Sequence, residues 1–151
     1  MVTFSIVPAE ADSPEALALM AELSARLAEI TGDSGSASFD VSEMRAANAC
    51  FLLARNAAGV AVGCGAFRWL APGIAEVKRM YIREAGAGTG GRLLRELERQ
   101  ARQRGYRQLW LETRRVNQRA VRFYLAQGYQ LRENYGRYRG NPLAVCFEKT
   151  L

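Results

Sequence analysis

The chain has 151 residues and a mass of 16.7 kDa, with 49% hydrophobic and 24% charged residues. These values predict one compact domain and exclude disordered and fibrous proteins. The sequence contains no histidine, which excludes Ser-His-Asp and Cys-His catalysis, histidine-ligated zinc and imidazole acid–base chemistry. The net charge of +6 favours an anionic partner, such as nucleic acid, a phosphorylated cofactor or an acidic membrane.

The cysteines and the hydropathy profile indicate the cellular compartment. Cys50, Cys64 and Cys146 are odd in number and lack CxxC spacing, as expected for buried small residues in a reducing compartment and not for a disulfide or metal site. The first residues lack the pattern of a signal peptide, and no stretch approaches the roughly 18 to 20 apolar residues of a membrane span. We therefore expect a cytoplasmic protein without a metal ion.

The first half of the chain predicts a strand, a long helix and a set of antiparallel strands. Residues 3–7 alternate weakly in hydropathy and form the first strand. A capping hydroxyl, a proline and an acid at Ser13-Pro14-Glu15 start a helix that runs to about Ile30. A loop and a short helix follow, over residues 31–38 and 40–47. Three strands joined by turns come next, at residues 51–55, 60–70 and 74–82.

The second half of the chain begins with a glycine-rich loop, residues 85–91, and a helix that Gly105 ends. A strand, a second helix and two further strands follow, at residues 109–113, 117–127, 129–132 and 145–149. The whole order is β-α-(α)-β-β-β-α-β-α-β-β. It predicts a mixed α/β domain in which an antiparallel meander leads into one right-handed parallel crossover.

The glycine-rich loop has several interpretations. Its residues 86–91 fit the GxGxxG pattern of dinucleotide-binding proteins, and Glu112 follows by about 20 residues, where such a fold places its ribose carboxylate. That fold needs repeated βαβ units after the loop, and too few residues remain, so nicotinamide and flavin binding are disfavoured. A Walker A loop is excluded because no Gly-Lys-Ser/Thr follows. The alternatives left are a plain flexible loop and a pyrophosphate site, in which backbone N–H groups converge on an anion at a helix N-terminus.

Two motifs of the chain resemble those of the GNAT superfamily of acyl-CoA-dependent N-acyltransferases. The family motif R/Q-x-x-G-x-G/A is matched by AGAGTG, residues 85–90, at all but the first position. The motif N-x-x-A-x-x-F/L-Y-x-x-x-G-F/Y is matched by NQRAVRFYLAQGY, residues 117–129, and AEVKRMYI, residues 75–82, looks like the family's fourth strand. The resemblance covers about residues 50–150 and is specific because both motifs occur at the family's spacing.

The resemblance implies a fold and a reaction. The fold is a central mixed sheet of about seven strands, flanked by about four helices and splayed between strands 4 and 5, in a single N-acetyltransferase domain over residues 1–151. The reaction is the transfer of an acetyl group from acetyl-CoA to a primary amine, by direct attack in a ternary complex and without a metal. A non-catalytic acyl-CoA-binding sensor of the same fold is the alternative.

The resemblance also assigns coenzyme contacts. The main chain of the fourth strand contacts the thioester and the pantetheine arm. The glycine-rich loop and the start of the fourth helix contact the rest of the coenzyme. The residues are Met80, Tyr81, Ile82, Ala85, Gly86, Ala87, Gly88, Thr89, Gly90, Gly91 and Asn117. Ala85 replaces the family's usual Arg or Gln, so the charge that braces the loop is missing there. Arg83 and Arg92 are candidates to supply it.

Tyr124 and Glu76 are the candidate catalytic residues. A phenol with a pKa of about 10 can protonate the departing thiolate, and the carboxylate of Glu76 can remove a proton from the amine, directly or through water. Each also has an ordinary structural interpretation, as an aromatic on an apolar helix face and as a surface acid on a strand. Glu112 and a water chain are the alternatives for the base.

The acceptor is a small-molecule or peptide amine that the sequence does not identify. Residues 33–38 and 133–142 are expected to face each other across the cleft and to contribute to its site. A nucleic-acid-binding basic domain is a remote alternative, disfavoured because the chain has no basic tail or recognition-helix motif. We expect no nucleic-acid or membrane partner, and the resemblance adds a homodimer as an option.

Overall fold

The computed structural model describes residues 4–84 and 87–151. In these ranges seven strands form one mixed sheet, accompanied by three α-helices and three short 3-10 helices. The strands are β1 (Ser5–Pro8), β2 (Cys50–Arg55), β3 (Ala61–Ala71), β4 (Ile74–Ile82), β5 (Gln108–Arg114), β6 (Gln130–Arg132) and β7 (Ala144–Thr150). The α-helices are α1 (Pro14–Thr31), α2 (Thr89–Gln103) and α3 (Gln118–Ala126). The predicted mixed α/β class is confirmed.

The helices begin where capping residues allow them to begin. The Ser13 hydroxyl accepts a hydrogen bond from the backbone N–H of Ala16 at 3.2 Å and caps α1, which ends at Gly32 with a φ of 80°. The Asn117 side chain accepts from the N–H of Ala120 at 3.3 Å and caps α3. The short helix predicted over residues 40–47 is a 3-10 segment, Val41–Arg45.

The order of strands in the sheet is β1-β2-β3-β4-β5-β7-β6. Every neighbouring pair is antiparallel except β4 and β5, which are parallel. These two strands pair only over Ile74 with Gln108, Ala75 with Leu109 and Glu76 with Trp110. Beyond Glu76 the strands part, so a gap opens between them toward the carboxyl ends of both. The predicted splay between strands 4 and 5 is confirmed.

A β-bulge interrupts β4 beside this gap. Cys64 pairs with Tyr81 and Ala66 with Lys78, so Arg79 and Met80 stand opposite the single residue Gly65. Arg79 has a φ of 57°, a left-handed conformation that is rare for a residue with a side chain. A Cβ atom on Gly65 would lie 2.5 Å from the Met80 sulfur. A side chain at residue 65 would therefore displace the Met80 side chain.

The core lies on both faces of the sheet. Alternation along β2 sends Cys50 and Leu52 to the face covered by α2 and α3, and sends Phe51 and Leu53 to the face covered by α1. A third cluster joins the loop after β6 to β7, through residues Tyr135, Tyr138, Ala144 and Cys146. All three cysteines are buried and free. In the described residues, no helix is long and apolar enough to cross a membrane.

Candidate functional site

Two cavities meet at the gap between β4 and β5. The larger has a volume of about 570 Å³ and extends to the N-terminus of α2. The smaller has a volume of about 200 Å³ and extends between β4, β5 and the loop after α1. Six residues line both cavities and mark their junction: Leu23, Leu27, Met80, Asn117, Ala120 and Tyr124. Two of the predicted coenzyme-binding residues, Met80 and Asn117, and the predicted catalytic Tyr124 are thus brought together.

The larger cavity is lined by the start of α2. Gly88, Thr89, Gly90 and Gly91 all lie on its wall, while Ala85 and Gly86 lie outside the described residues. Gly88 is the N-cap with a φ of 76°, no side chain caps the helix, and its first turn holds no acidic residue. The first N–H groups of a helix have no intrahelical partner, and the helix dipole adds positive potential there. This end of the cavity can therefore bind an anion.

Arginines add charge to the larger cavity, but not the two that the sequence suggested. Arg83 donates to the carboxylate of Glu22 at 2.8 Å, which lowers the pKa of that acid. Arg92 lies over the ring of Phe4, 5.8 Å from its centroid. Neither lines a cavity, whereas other arginines line the larger one, namely Arg26, Arg95 and Arg119.

The end of β4 forms the edge of the gap. Met80, Tyr81 and Ile82 line the larger cavity and lie beyond the last residue of β4 that pairs with β5. On their other side, Tyr81 and Ile82 pair with β3. The edge of β4 that faces β5 thus has no strand partner there, so its main-chain groups are free to bind a ligand.

Tyr124 presents its hydroxyl at the junction of the cavities. Its ring packs against Phe123, Tyr129 and Phe147, with centroids 5.1, 5.8 and 6.1 Å apart. Only 8% of the residue is exposed, and its hydroxyl forms no hydrogen bond with a described residue. Burial raises the pKa of Tyr124. The hydroxyl is therefore protonated at neutral pH and available as a donor.

Glu76 lies in a buried polar network and lines neither cavity. Its Oε1 accepts hydrogen bonds from Nε and Nη2 of Arg68 at 3.1 and 2.9 Å. Its Oε2 accepts from the hydroxyl of Tyr135 at 2.6 Å. Arg68 also pairs with Glu43. Both oxygens of this predicted base are thus engaged with residues of the protein itself.

Glu112, the alternative base, lies on the wall of the smaller cavity. Burial raises the pKa of this carboxyl, while the charges of Arg114 and Lys78 partly offset the effect. Arg114 pairs with Glu112 and reaches Asp33, with Nη2 3.6 Å from Oδ2. A carboxyl with a raised pKa, open to a cavity, has the properties of a general base.

Sequence reasoning missed Lys78. This side chain lines the smaller cavity, is 7% exposed, and donates from Nζ to the hydroxyl of Tyr138 at 3.2 Å. The period of two along a strand was the available signal, because residues 76 and 78 share a face of β4.

The two loops expected to face each other, residues 33–38 and 133–142, do meet, since Arg137 donates to the carbonyl of Ala37 at 3.0 Å.

Comparison with known proteins identifies the family. Residues 17–129 match the Acetyltransferase (GNAT) family. The chain belongs to this family. A GNAT relative, the IAA acetyltransferase of Azospirillum brasilense, is 38% identical over 104 residues, which are 67% of each chain.

Solved structures share the GNAT fold over nearly the whole chain. A Klebsiella pneumoniae protein classed with the acyl-CoA N-acyltransferases is 34% identical, with a TM-score of 0.86 over 99% of this chain and 98% of that one. The PaiA N-acetyltransferase of Thermoplasma acidophilum, solved in complex with coenzyme A, is 20% identical, with a TM-score of 0.76 over 99% of each chain. The protein is an acyltransferase of the GNAT family, and its fold is the one that the two sequence motifs indicated.

Proposed function

We propose that the protein transfers an acetyl group from acetyl-CoA to a primary amine, by direct attack in a ternary complex. The observation that carries the proposal is the meeting of two cavities at the gap between β4 and β5. One substrate would bind in each cavity, and the junction is where the two substrates would touch. The coenzyme A bound to the Thermoplasma acidophilum relative supports the choice of donor.

The larger cavity suits acetyl-CoA. Its anion-binding end, residues 88–91, would hold the pyrophosphate with the first N–H groups of α2. The predicted coenzyme contacts of Ala85, Gly86 and Ala87 are part of the same proposal. Arg95 and Arg119 on the same wall would add positive charge. The unpaired edge of β4 at residues 80–82 would bind the pantetheine arm and polarise the acetyl carbonyl through main-chain hydrogen bonds, and Asn117 would contact the coenzyme at the junction.

Tyr124 is proposed as the general acid. The amine nitrogen attacks the thioester carbon, the C–S bond breaks, and negative charge builds up on sulfur. A phenol hydroxyl at the junction donates a hydrogen bond to that sulfur and then its proton. The nitrogen loses a proton to solvent as it becomes an amide, and solvent returns a proton to the phenolate. Because burial raises the pKa of Tyr124, the proton is present on the phenol across the neutral range.

Glu112 is favoured over Glu76 as the general base. Most amines carry a proton at neutral pH, so a base must remove one before attack. Glu112 lines the smaller cavity, where an acceptor would bind, and its pKa is raised by burial. Glu76 is held by Arg68 and Tyr135 outside the cavity wall, so it would act on the amine only through an intervening group. In our proposal Glu76 positions its neighbours.

The test is release of free thiol from acetyl-CoA in the presence of a panel of amines, with mass spectrometry of the products. The panel covers amino acids, polyamines, aminoglycosides and peptides. The proposal expects stoichiometric acetyl-amine and coenzyme A with at least one class. Binding of coenzyme A without turnover on any class would instead support a non-catalytic acyl-CoA-binding module.

A further inference from the structure

Lys78 is a buried cation whose hydrogen bond goes to a neutral group. Among the described residues, three charged side chains are buried, Glu76, Lys78 and Glu98. Glu98 accepts from Lys149 at 3.1 Å, and Glu76 accepts from Arg68 at 2.9 Å. Within residues 4–84 and 87–151, Lys78 donates only to the hydroxyl of Tyr138. These two carboxylates hydrogen-bond a cation, whereas Lys78 has no hydrogen-bonded anion.

The Glu76 carboxylate lies close to Lys78 but does not hydrogen-bond to it. Oε1 of Glu76 lies 3.8 Å from Nζ of Lys78, beyond hydrogen-bond distance, and already accepts two hydrogen bonds from Arg68. Removing an ammonium group from water costs several kcal/mol, which an anion offsets only when it pairs with the group in good hydrogen-bonding geometry. Burial accordingly lowers the pKa of Lys78. An anion entering the cavity would supply the missing partner.

The smaller cavity has the charge and the size to admit such an anion. Four of its charged lining residues are basic and two are acidic: Lys78, Arg79, Arg114 and Arg137 against Asp33 and Glu112. Arg114 pairs with both acids, and Arg79 is held by α1. Lys78, Arg79 and Arg137 have no carboxylate hydrogen bond with a described residue, and Arg79 already donates to two carbonyls and the Ser24 hydroxyl. Lys78 and Arg137 are therefore the cations left to meet an anion. A volume of about 200 Å³ is below the roughly 300 to 1,000 Å³ of pockets for drug-sized ligands, so the occupant is small.

We propose that the acceptor is a small amine that also carries a carboxylate, as a free amino acid does, and that Lys78 binds this carboxylate. Arg137, at the mouth of the same cavity, assists it. The amine group then faces Glu112 and the junction, while the carboxylate lies against β4. This inference rests on the proposed acetyl transfer, because it names the substrate class of that reaction.

The experiment compares each standard α-amino acid with its own primary amide, which keeps the amine and the side chain but removes the charge. For the preferred amino acid, wild-type protein should show a kcat/KM at least about tenfold above that of the amide. In the Lys78→Met variant, the ratio of the two kcat/KM values should fall below about threefold, mainly because the KM for the amino acid rises. Lys149→Met, which changes the chain's other lysine and leaves the lining of the smaller cavity intact, should keep the preference. Arg137→Met, an exposed substitution, should reduce it a few-fold.

Calorimetry with coenzyme A in place of acetyl-CoA separates this inference from the proposed function. The coenzyme-saturated protein should bind the preferred amino acid. Its Kd for the corresponding amide should be at least about tenfold higher. Turnover of amines without carboxylates, together with no binding of any amino acid, would overturn the inference and leave the acetyl transfer intact. If Lys78→Met lowered kcat/KM by the same factor for the amino acid and for its amide, the inference would also be overturned. Failure of every amine to react would refute the acetyl transfer itself.

Discussion

The Tyr124→Phe substitution separates catalysis from stability. The change removes one hydroxyl that forms no hydrogen bond with a described residue, and the ring contacts with Phe123, Tyr129 and Phe147 are kept. The free energy of unfolding should therefore change by less than about 1 kcal/mol. Loss of a general acid lowers a rate by about 10² to 10⁴, so kcat should fall by that factor, equivalent to about 3 to 5 kcal/mol in the barrier.

Tyr106→Phe is the matched control for this experiment. The Tyr106 hydroxyl donates to the carbonyl of Asn48 at 2.7 Å and lines neither cavity, so its loss should cost about 1 kcal/mol of stability and leave kcat unchanged. Both variants are measured by steady-state thiol release and by urea unfolding. A Tyr124→Phe protein with wild-type kcat would refute the acid role. A Tyr124→Phe protein destabilised by more than about 2 kcal/mol would show that the hydroxyl has a structural partner.

Three further predictions follow from the site. In the wild-type protein, kcat should fall at acid pH with a midpoint above 4.5, the ordinary pKa of glutamate, because the raised pKa of Glu112 keeps the base protonated to higher pH. Glu112→Gln should lower kcat and abolish this acid limb. Glu76→Gln should instead cost about 3 kcal/mol in urea unfolding, because the charge of Arg68 loses its buried partner, and should keep the acid limb; the opposite assignment of these two effects would restore Glu76 as the base. Gly65→Ala should cost about 1 to 3 kcal/mol and raise the KM for acetyl-CoA, since the new Cβ displaces Met80; an unchanged KM would show that Met80 does not position the thioester.

Local signals in the sequence were sufficient for most elements. The start of α1 at Ser13 and its end near Ile30 depend on groups within one turn of the helix end. The start is found where it was predicted, and the helix ends one residue later, at Thr31, with Gly32 as its cap. Strand β4 has the predicted bounds, because a turn precedes it and the glycine-rich loop follows it. The site motifs lie on these elements, which is why Met80, Asn117 and Tyr124 could be placed near one another.

Features set by partners distant in the chain were not predictable in this way. The insertion of β7 between β5 and β6 depends on pairing across the whole C-terminal region. The engagement of Glu76 requires Tyr135, 59 residues away, and the burial of Lys78 requires Tyr138, 60 residues away. A strand glutamate and a strand lysine have the same local pattern whether water or a tyrosine covers them.

The bulge in β4 places two opposing demands on Arg79. A φ of 57° favours glycine, and a residue with a side chain pays about 1 to 2 kcal/mol to adopt it. The guanidinium in return donates to the Met20 carbonyl at 2.8 Å, to the Ser24 hydroxyl and to the Ser34 carbonyl at 3.4 Å. Replacement by glycine would relax the backbone but remove the hydrogen bonds that link β4 to α1 and to the loop beside the smaller cavity. One side chain thus couples the shape of β4 to the enclosure of the smaller cavity, and neither can be remodelled there independently of the other.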